Sequence, residues 1–240
     1  MDFNKELLNS KCKSIGIDLT QIQLEQFELF YNLLIEKNKV MNLTAITEME
    51  EVIVKHFIDS MMLIKAINID SIQTIADMGT GAGFPGIPLK IAFPKLKITL
   101  MDSLAKRLKF LDEVISTLEL ENITTLHGRA EDIGKNDNYR EKYDLCVSRA
   151  VANLSTLSEY CLPLVKENGY FISYKSGEIT EELSSSKKAI SILGGNNPEL
   201  VYFKLPDSNM DRSFVIIKKE KKTPKKYPRK AGLPSKEPIN

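Results

Sequence analysis

Apolar and polar positions follow two rhythms along this chain of 240 residues. Short apolar runs occupy residues 72–78, 97–101, 122–126, 143–147 and 169–174, the length and character of strands buried on both faces. Between them apolar residues return every three or four positions, which predicts helices over 87–93, 103–118, 154–165 and 178–192. Strands alternating with helices of this length predict an α/β domain built on a mostly parallel sheet with helices on both faces. Residues 200–205 and 213–218 read as a closing antiparallel hairpin, for about seven strands in all. Ahead of the first strand, Leu24, Phe27, Tyr31 and Leu34 keep helical spacing. They follow Thr20-Gln21-Ile22-Gln23, a capping box, with Leu19 and Leu24 placed for a hydrophobic staple. This helix is expected over 20–39. Val52, Phe57, Met61 and Ile64 mark a second over 49–67. The expected organisation is an N-terminal helical cap over 1–70, packed on the same domain as a core over 71–218. A basic tail over 219–240 follows, with too many prolines for regular structure.

Composition narrows the class. Apolar residues make up 42% and charged residues 27% of the chain, ordinary for a globular domain. No apolar run is long enough to span a membrane, and the first residues lack a secretory pattern. Cys12, Cys146 and Cys161 show neither pairing nor metal spacing, so reduced thiols, no metal and a cytoplasmic location are expected. No extra interface helix is evident, which favours a monomer. The net charge is +1, yet residues 218–240 carry nine Lys or Arg against two Glu. That stretch is therefore +7 and the remainder −6. A basic tail on an acidic body suggests a polyanionic partner; the bland alternative is a solvated tail.

The chemistry centres on Asp77-Met78-Gly79-Thr80-Gly81-Ala82-Gly83-Phe84-Pro85-Gly86. It reads as strand, glycine-rich loop and helix, with the loop where open parallel sheets bind ligands. The next strand ends in Asp102, 23 positions past Gly79, suited to accept hydrogen bonds from ribose hydroxyls. The glycines also satisfy the dinucleotide pattern. Pro85 and Pro88, however, remove amide donors a pyrophosphate needs, and Asp77 suits a cationic ligand better. An adenosine bearing a sulfonium meets these conditions, and the loop resembles that of S-adenosylmethionine-dependent methyltransferases.

Other candidates lie beyond the loop. His56 and Asp59 share a helical face; either His56 touches a phosphate or base, or the two form a local surface pair, which is the preferred reading. Lys106 and Arg107 open a helix after Asp102-Ser103, against the helix dipole, which hints at an anionic neighbour. Ala130 and Glu131 follow the third strand, where adenine would lie. Arg149 ends the fourth strand, facing the transferable methyl in this architecture.

Taken together these residues resemble the RsmG (GidB) family. The quoted matches are Asn42-Leu43-Thr44, His56-Phe57-x-Asp59-Ser60, the loop from Asp77 to Leu89, Asp102-Ser103 with Lys106-Arg107, and Arg129-Ala130-Glu131. Ser148-Arg149-Ala150-Val151-Ala152 and Tyr227-Pro228-Arg229-Lys230-x-Gly232-x-Pro234 complete them. Thr80 stands where the family commonly has Ser, and Ser176 separates Lys175 from Gly177. The resemblance implies the Rossmann-like class I S-adenosylmethionine-dependent methyltransferase fold. It also implies methylation of guanine at ring nitrogen seven in 16S ribosomal RNA of the small subunit. Cofactor contacts are expected at Asp77, Gly79, Gly81, Gly83, Phe84, Asp102, Ser103, Ala130, Glu131 and Arg149. Arg149 and Lys175 are expected to position the substrate. His56, Lys106, Arg107, Arg129, Arg212, Arg229 and Lys230 are the expected RNA contacts. Ring nitrogen seven carries no proton, so no general base is expected. A methyltransferase acting on a protein or a small molecule is the nearest alternative; an NAD-dependent dehydrogenase and a non-catalytic, cofactor-binding assembly factor are the others.

Overall fold

The computed structural model describes residues 3–149 and 152–239. Seven strands form one sheet in the order β3-β2-β1-β4-β5-β7-β6. They are β1 (Thr74–Met78), β2 (Lys97–Asp102), β3 (Ile123–His127), β4 (Tyr143–Arg149), β5 (Val165–Ser176), β6 (Glu199–Lys204) and β7 (Asp211–Lys218). The first five pair in parallel; β7 runs antiparallel to both β5 and β6. The central strands are apolar without alternation because helices cover both faces, as in Ile75 and Ala76 of β1, both fully buried. Strand order reverses beside β1, between β2 and β4, so the carboxyl ends of these three strands flank a crevice.

The N-terminal segment begins with α1 (Lys5–Ser14), which the spacing did not predict, and α2 (Gln21–Met41). The capping box at Thr20 is present: Gln23 N–H donates to its hydroxyl at 3.3 Å, and Thr20 N–H donates to Gln23 Oε1 at 2.8 Å. The Gln23 amide also donates to Ile91 O at 2.7 Å, tying α2 to a helix of the core. The expected helix over 49–67 is instead composite. It comprises α3 (Met49–Val52), a π-helical stretch Ile53–Ile58, α4 (Asp59–Met61) and a 3₁₀ turn Met62–Lys65. The wider π turn lies where His56 and Asp59 must both face the crevice. Phe57 sits in an aromatic cluster with Phe27, Phe30 and Phe84, at centroid distances of 4.9, 5.6 and 6.3 Å. Each such ring contributes about 1.5–3 kcal/mol of burial, so the cap's core reaches into the glycine loop.

The core helices are α5 (Gly86–Ala92), α6 (Ala105–Thr117), α7 (Ala130–Ile133), α8 (Leu154–Cys161) and α9 (Thr180–Ile192). α8 ends earlier than the spacing predicted because Pro163 follows, and β5 begins at Val165. The last segment is folded onto the body and ends with α10 (Leu233–Lys236). Lys219 is fully buried, its ammonium donating to Leu162 O, Val165 O and Thr223 Oγ1. The Arg140 guanidinium donates to Thr223 O and Tyr227 O at 2.7 and 2.9 Å. These groups hold the chain where prolines prevent ladder pairing. No helix among the described residues is long and apolar enough to cross a membrane.

Candidate active site

A cavity of about 730 Å³ opens at the carboxyl ends of β1, β2 and β3. Its floor is Met78, Gly79, Thr80, Gly81 and Ala82, with Phe84 beyond. The loop is held from beneath by Asp77, which is fully buried. Thr80 Oγ1 and Gly86 N–H donate to Asp77 Oδ2 at 2.7 and 2.8 Å, while Oδ1 has no partner. Burial pushes the Asp77 carboxyl up to about 6, against the opposing pull of those two hydrogen bonds. Gly83 turns away from the cavity at φ +95°. A Cβ there would meet Ile87 Cγ1 at 2.7 Å and Leu111 Cδ2 at 2.9 Å, so glycine is required by packing. Asp77 and Gly83, both expected to touch a cofactor, therefore shape the loop from behind and are not cavity-lining.

Asp102 is 5% exposed and lines the cavity. Its Oδ1 accepts from Leu104 N–H at 2.8 Å; its Oδ2 accepts from Gly81 N–H at 3.0 Å and Arg107 Nη1 at 3.4 Å. Each carboxylate oxygen retains acceptor capacity toward the cavity. On the β3 side the wall is Gly128, Arg129, Ala130, Glu131, Tyr160 and Gly232. Glu131 is 5% exposed and accepts from Gly232 N–H at 2.7 Å. The residues fit an adenosine cofactor. A buried carboxylate stands at the end of β2, the loop carries no side-chain bulk at Gly79 and Gly81, and the volume lies in the usual range for small-molecule sites.

A second cavity of about 370 Å³ adjoins the first, and His56 and Arg149 line both. Asp59, Tyr174, Lys175, Phe203 and Arg212 also line it. Asp59, 4% exposed, joins two cations: Arg149 Nη1 donates to Oδ2 at 2.9 Å and Arg212 Nε to Oδ1 at 3.1 Å. The Arg149 guanidinium lies 5.0 Å from the centre of the Phe84 ring. Lys175 donates to Glu182 Oε1 at 2.7 Å. His56 stacks on Phe84 at 4.5 Å and its Nε2 lies 2.8 Å from Thr44 Oγ1. Burial, then the Arg149 charge, lowers its pKa to about 3, so the ring is neutral at pH 7. The local His56–Asp59 surface pair expected from spacing does not form, because both side chains are buried and Asp59 is taken by the arginines.

The other expected RNA contacts separate in space. Arg107 and Arg129 line the first cavity, Arg212 the second, while Lys106 and Lys230 are exposed and line neither. Arg229 is engaged within the protein, its Nη2 donating to Glu159 Oε2 at 2.8 Å. Ala150 and Val151, part of the motif around Arg149, lie outside the described residues. Thr44, Leu104, Tyr160 and Gly232 line the first cavity without having been singled out as contacts. Of these, Thr44 and Gly232 had a signal, in the motif Asn42-Leu43-Thr44 and in the motif at the end of the chain.

The sheet order, the glycine loop and the acidic residue that ends β2 define a class I S-adenosylmethionine-dependent methyltransferase. Solved structures agree at the level of fold. A SAM-dependent O-methyltransferase from Thermotoga maritima superposes with a TM-score of 0.52 at 15% identity, covering 79% of this chain and 72% of that one. A predicted O-methyltransferase from Agrobacterium tumefaciens gives 0.52 at 16% identity, covering 66% and 79%. The family model for GidB, rRNA small subunit methyltransferase G, matches residues 23–211, and the chain belongs to that family. The ribosomal RNA small subunit methyltransferase G of Lachnoclostridium phytofermentans is 59% identical over 227 residues, 95% of this chain and 94% of that protein. The Bacillus subtilis protein of the same name is 50% identical over 236 residues, 98% and 99% of the two chains.

Proposed function

We propose that this enzyme transfers a methyl group from S-adenosylmethionine to ring nitrogen seven of a guanine in 16S ribosomal RNA, acting in the cytoplasm. The first cavity takes the cofactor and the second the guanine. One observation carries this division: the two cavities meet at His56 and Arg149. In the first, Asp102 accepts from the ribose, the wall from Gly128 to Glu131 borders adenine, and the Gly79–Gly81 backbone lies under the amino-acid end. The bound cofactor supplies an electrophilic methyl on a sulfonium.

Ring nitrogen seven offers a lone pair and no proton, so the protein's task is to present it in line. Placement of this kind lowers the barrier without acid or base. Arg149 and Arg212 are forked donors suited to the O6 acceptor beside ring nitrogen seven, which leaves that nitrogen's lone pair free for the methyl. Asp59 fixes both forks and offsets one of their two charges, so a base that becomes positive does not face two uncompensated cations. His56, held neutral, adds no further positive charge. Lys175 reaches the same cavity from β5, paired with Glu182, and its ammonium is the group we assign to a phosphate of the substrate.

Radiolabel from S-adenosylmethionine should appear as 7-methylguanosine in small-subunit RNA taken from cells lacking this enzyme. Label on any other atom, or none despite cofactor binding, overturns the assignment. Arg149→Ala and Lys175→Ala should each slow transfer by about 10²-fold or more at every pH from 6 to 9. A loss that grows toward one end of that range would reveal an acid or base and refute positioning.

A further inference from the structure

The cofactor cavity is not closed by the methyltransferase sheet alone. Its wall on the β3 side includes Gly232, which lies about a hundred residues after Glu131 and beyond the span matched by the family model. The segment carrying Gly232 is fastened on both sides. Ahead of it, Glu159, 1% exposed, accepts from Arg229 N–H at 2.7 Å and from Nε and Nη2 of the guanidinium at 3.0 and 2.8 Å. Behind it, Thr156 Oγ1 donates to Pro234 O at 2.9 Å and Ser155 Oγ to Ile239 O at 2.6 Å. All three anchors sit on α8. The apex of the segment is then aimed at Glu131. Gly232 takes φ +81°, and its N–H donates to Glu131 Oε1.

Glu131 makes the arrangement informative. It is a buried carboxylate, and among the described residues it has no ion pair. A charge this shielded needs donors, and a backbone N–H is the one supplied here by the terminal segment. Its remaining acceptor capacity borders the cavity.

We infer that residues 229–237 are a strap that completes the adenosine end of the cofactor cavity, with Glu131 as the positioning residue that joins the strap to the cofactor. This rests on the cavity being the S-adenosylmethionine site. Arg229, engaged with Glu159, is a staple of this strap. Because a coupling between two sites is reciprocal, cofactor binding tightens the strap as much as the strap tightens cofactor binding.

The test uses S-adenosylhomocysteine, the demethylated product, as the probe on the full chain. Hydrogen exchange at residues 229–234 should slow when it is added. Arg229→Met cuts the staple at a side chain that does not line the cavity. It should speed exchange in the strap and raise the dissociation constant about tenfold, the scale of one hydrogen bond to a charged group. Gly232→Val acts at the apex, where a Cβ meets nothing within 4 Å but φ is unsuited to a branched residue. It should weaken binding similarly with the unfolding midpoint near that of the parent. Glu131→Gln, which keeps an acceptor for Gly232 N–H, should leave strap exchange near the parent's, whereas Glu131→Ala should speed it. Faster exchange in the strap with unchanged affinity would overturn the inference while leaving the cofactor site intact. If the parent chain itself bound neither S-adenosylmethionine nor its product, the cavity's assignment would fall, and the strap with it.

Discussion

Asp77 shows how a residue's chemistry depends on depth. Its place before the glycines suggested a contact with a cationic ligand, yet the side chain is fully buried under the loop it organises. Sequence spacing locates a residue along a strand but not whether its carboxylate turns up into a crevice or back under a turn. The native carboxyl is raised from 3.8 to about 6, chiefly by burial. A raised native value means the ionised form is the costly one, so this group's contribution to stability falls as pH rises from about 4 to about 6 and is constant above. Asp77→Asn removes that dependence. Urea unfolding at pH 4.5 and at pH 8 should show the variant gaining about 1–3 kcal/mol on the parent at the higher pH. An identical difference at both pH values would contradict the burial argument. His56 has the opposite sign. Its native value is lowered from 6.5 to about 3, so stability from the neutral ring is present above pH 6.5 and falls away progressively as pH drops toward 3. In a His127→Gln background, which leaves one histidine, the ring resonances should stay constant from pH 8 to pH 5. Titration near pH 6.5 would show that the stack on Phe84 is open to water.

At the scale of elements, the sheet was legible because burial on both faces writes strands as apolar runs. The capping box named the start of α2 within one residue, since its hydrogen bonds are local. What could not be read was the π turn at Ile53–Ile58 and the identity of the group facing Asp59, because both are decided by partners distant in sequence. Arg149 and Arg212, at the ends of β4 and β7, converge on this one carboxylate from the helical cap. That joins three elements by charge at the floor of the second cavity. Breaking a buried pair leaves an unpaired charge, which costs about 3–5 kcal/mol when fully buried. Both arginines are partly open, at 15% and 20% side-chain exposure, so solvent screens them and a destabilisation of about 1–3 kcal/mol is expected for Asp59→Ala. Guanidinium unfolding would measure it. Asp59→Asn, which keeps the volume and an acceptor, should be destabilised less; equal effects would show that the lost charge alone, and neither acceptor nor volume, sets the cost.

For the whole molecule the basic terminal segment dominates the charge distribution. Residues 218–240 hold nine Lys or Arg, and their composition suggested one electrostatic role. The fold divides them. Lys219 is buried against two carbonyls and the Thr223 hydroxyl and Arg229 is clamped to Glu159, so neither is available to a partner. Lys221, Lys222, Lys225 and Lys226 are exposed on the segment that precedes the strap. The division separates two functions that deleting the segment would confuse. Removing all of 219–240 should weaken cofactor binding as well as RNA binding, because the strap goes with the lysines. Replacing only the four exposed lysines by Gln keeps the strap. RNA binding to that variant should be less steep in a plot of log affinity against log salt, by about 0.7 for each phosphate of single-stranded RNA that a lysine no longer neutralises. Its affinity for S-adenosylhomocysteine should match the parent's. An unaltered salt slope would mean that the RNA lies elsewhere, leaving Arg107, Arg129 and Arg212 around the two cavities as the basic surface on which it rests.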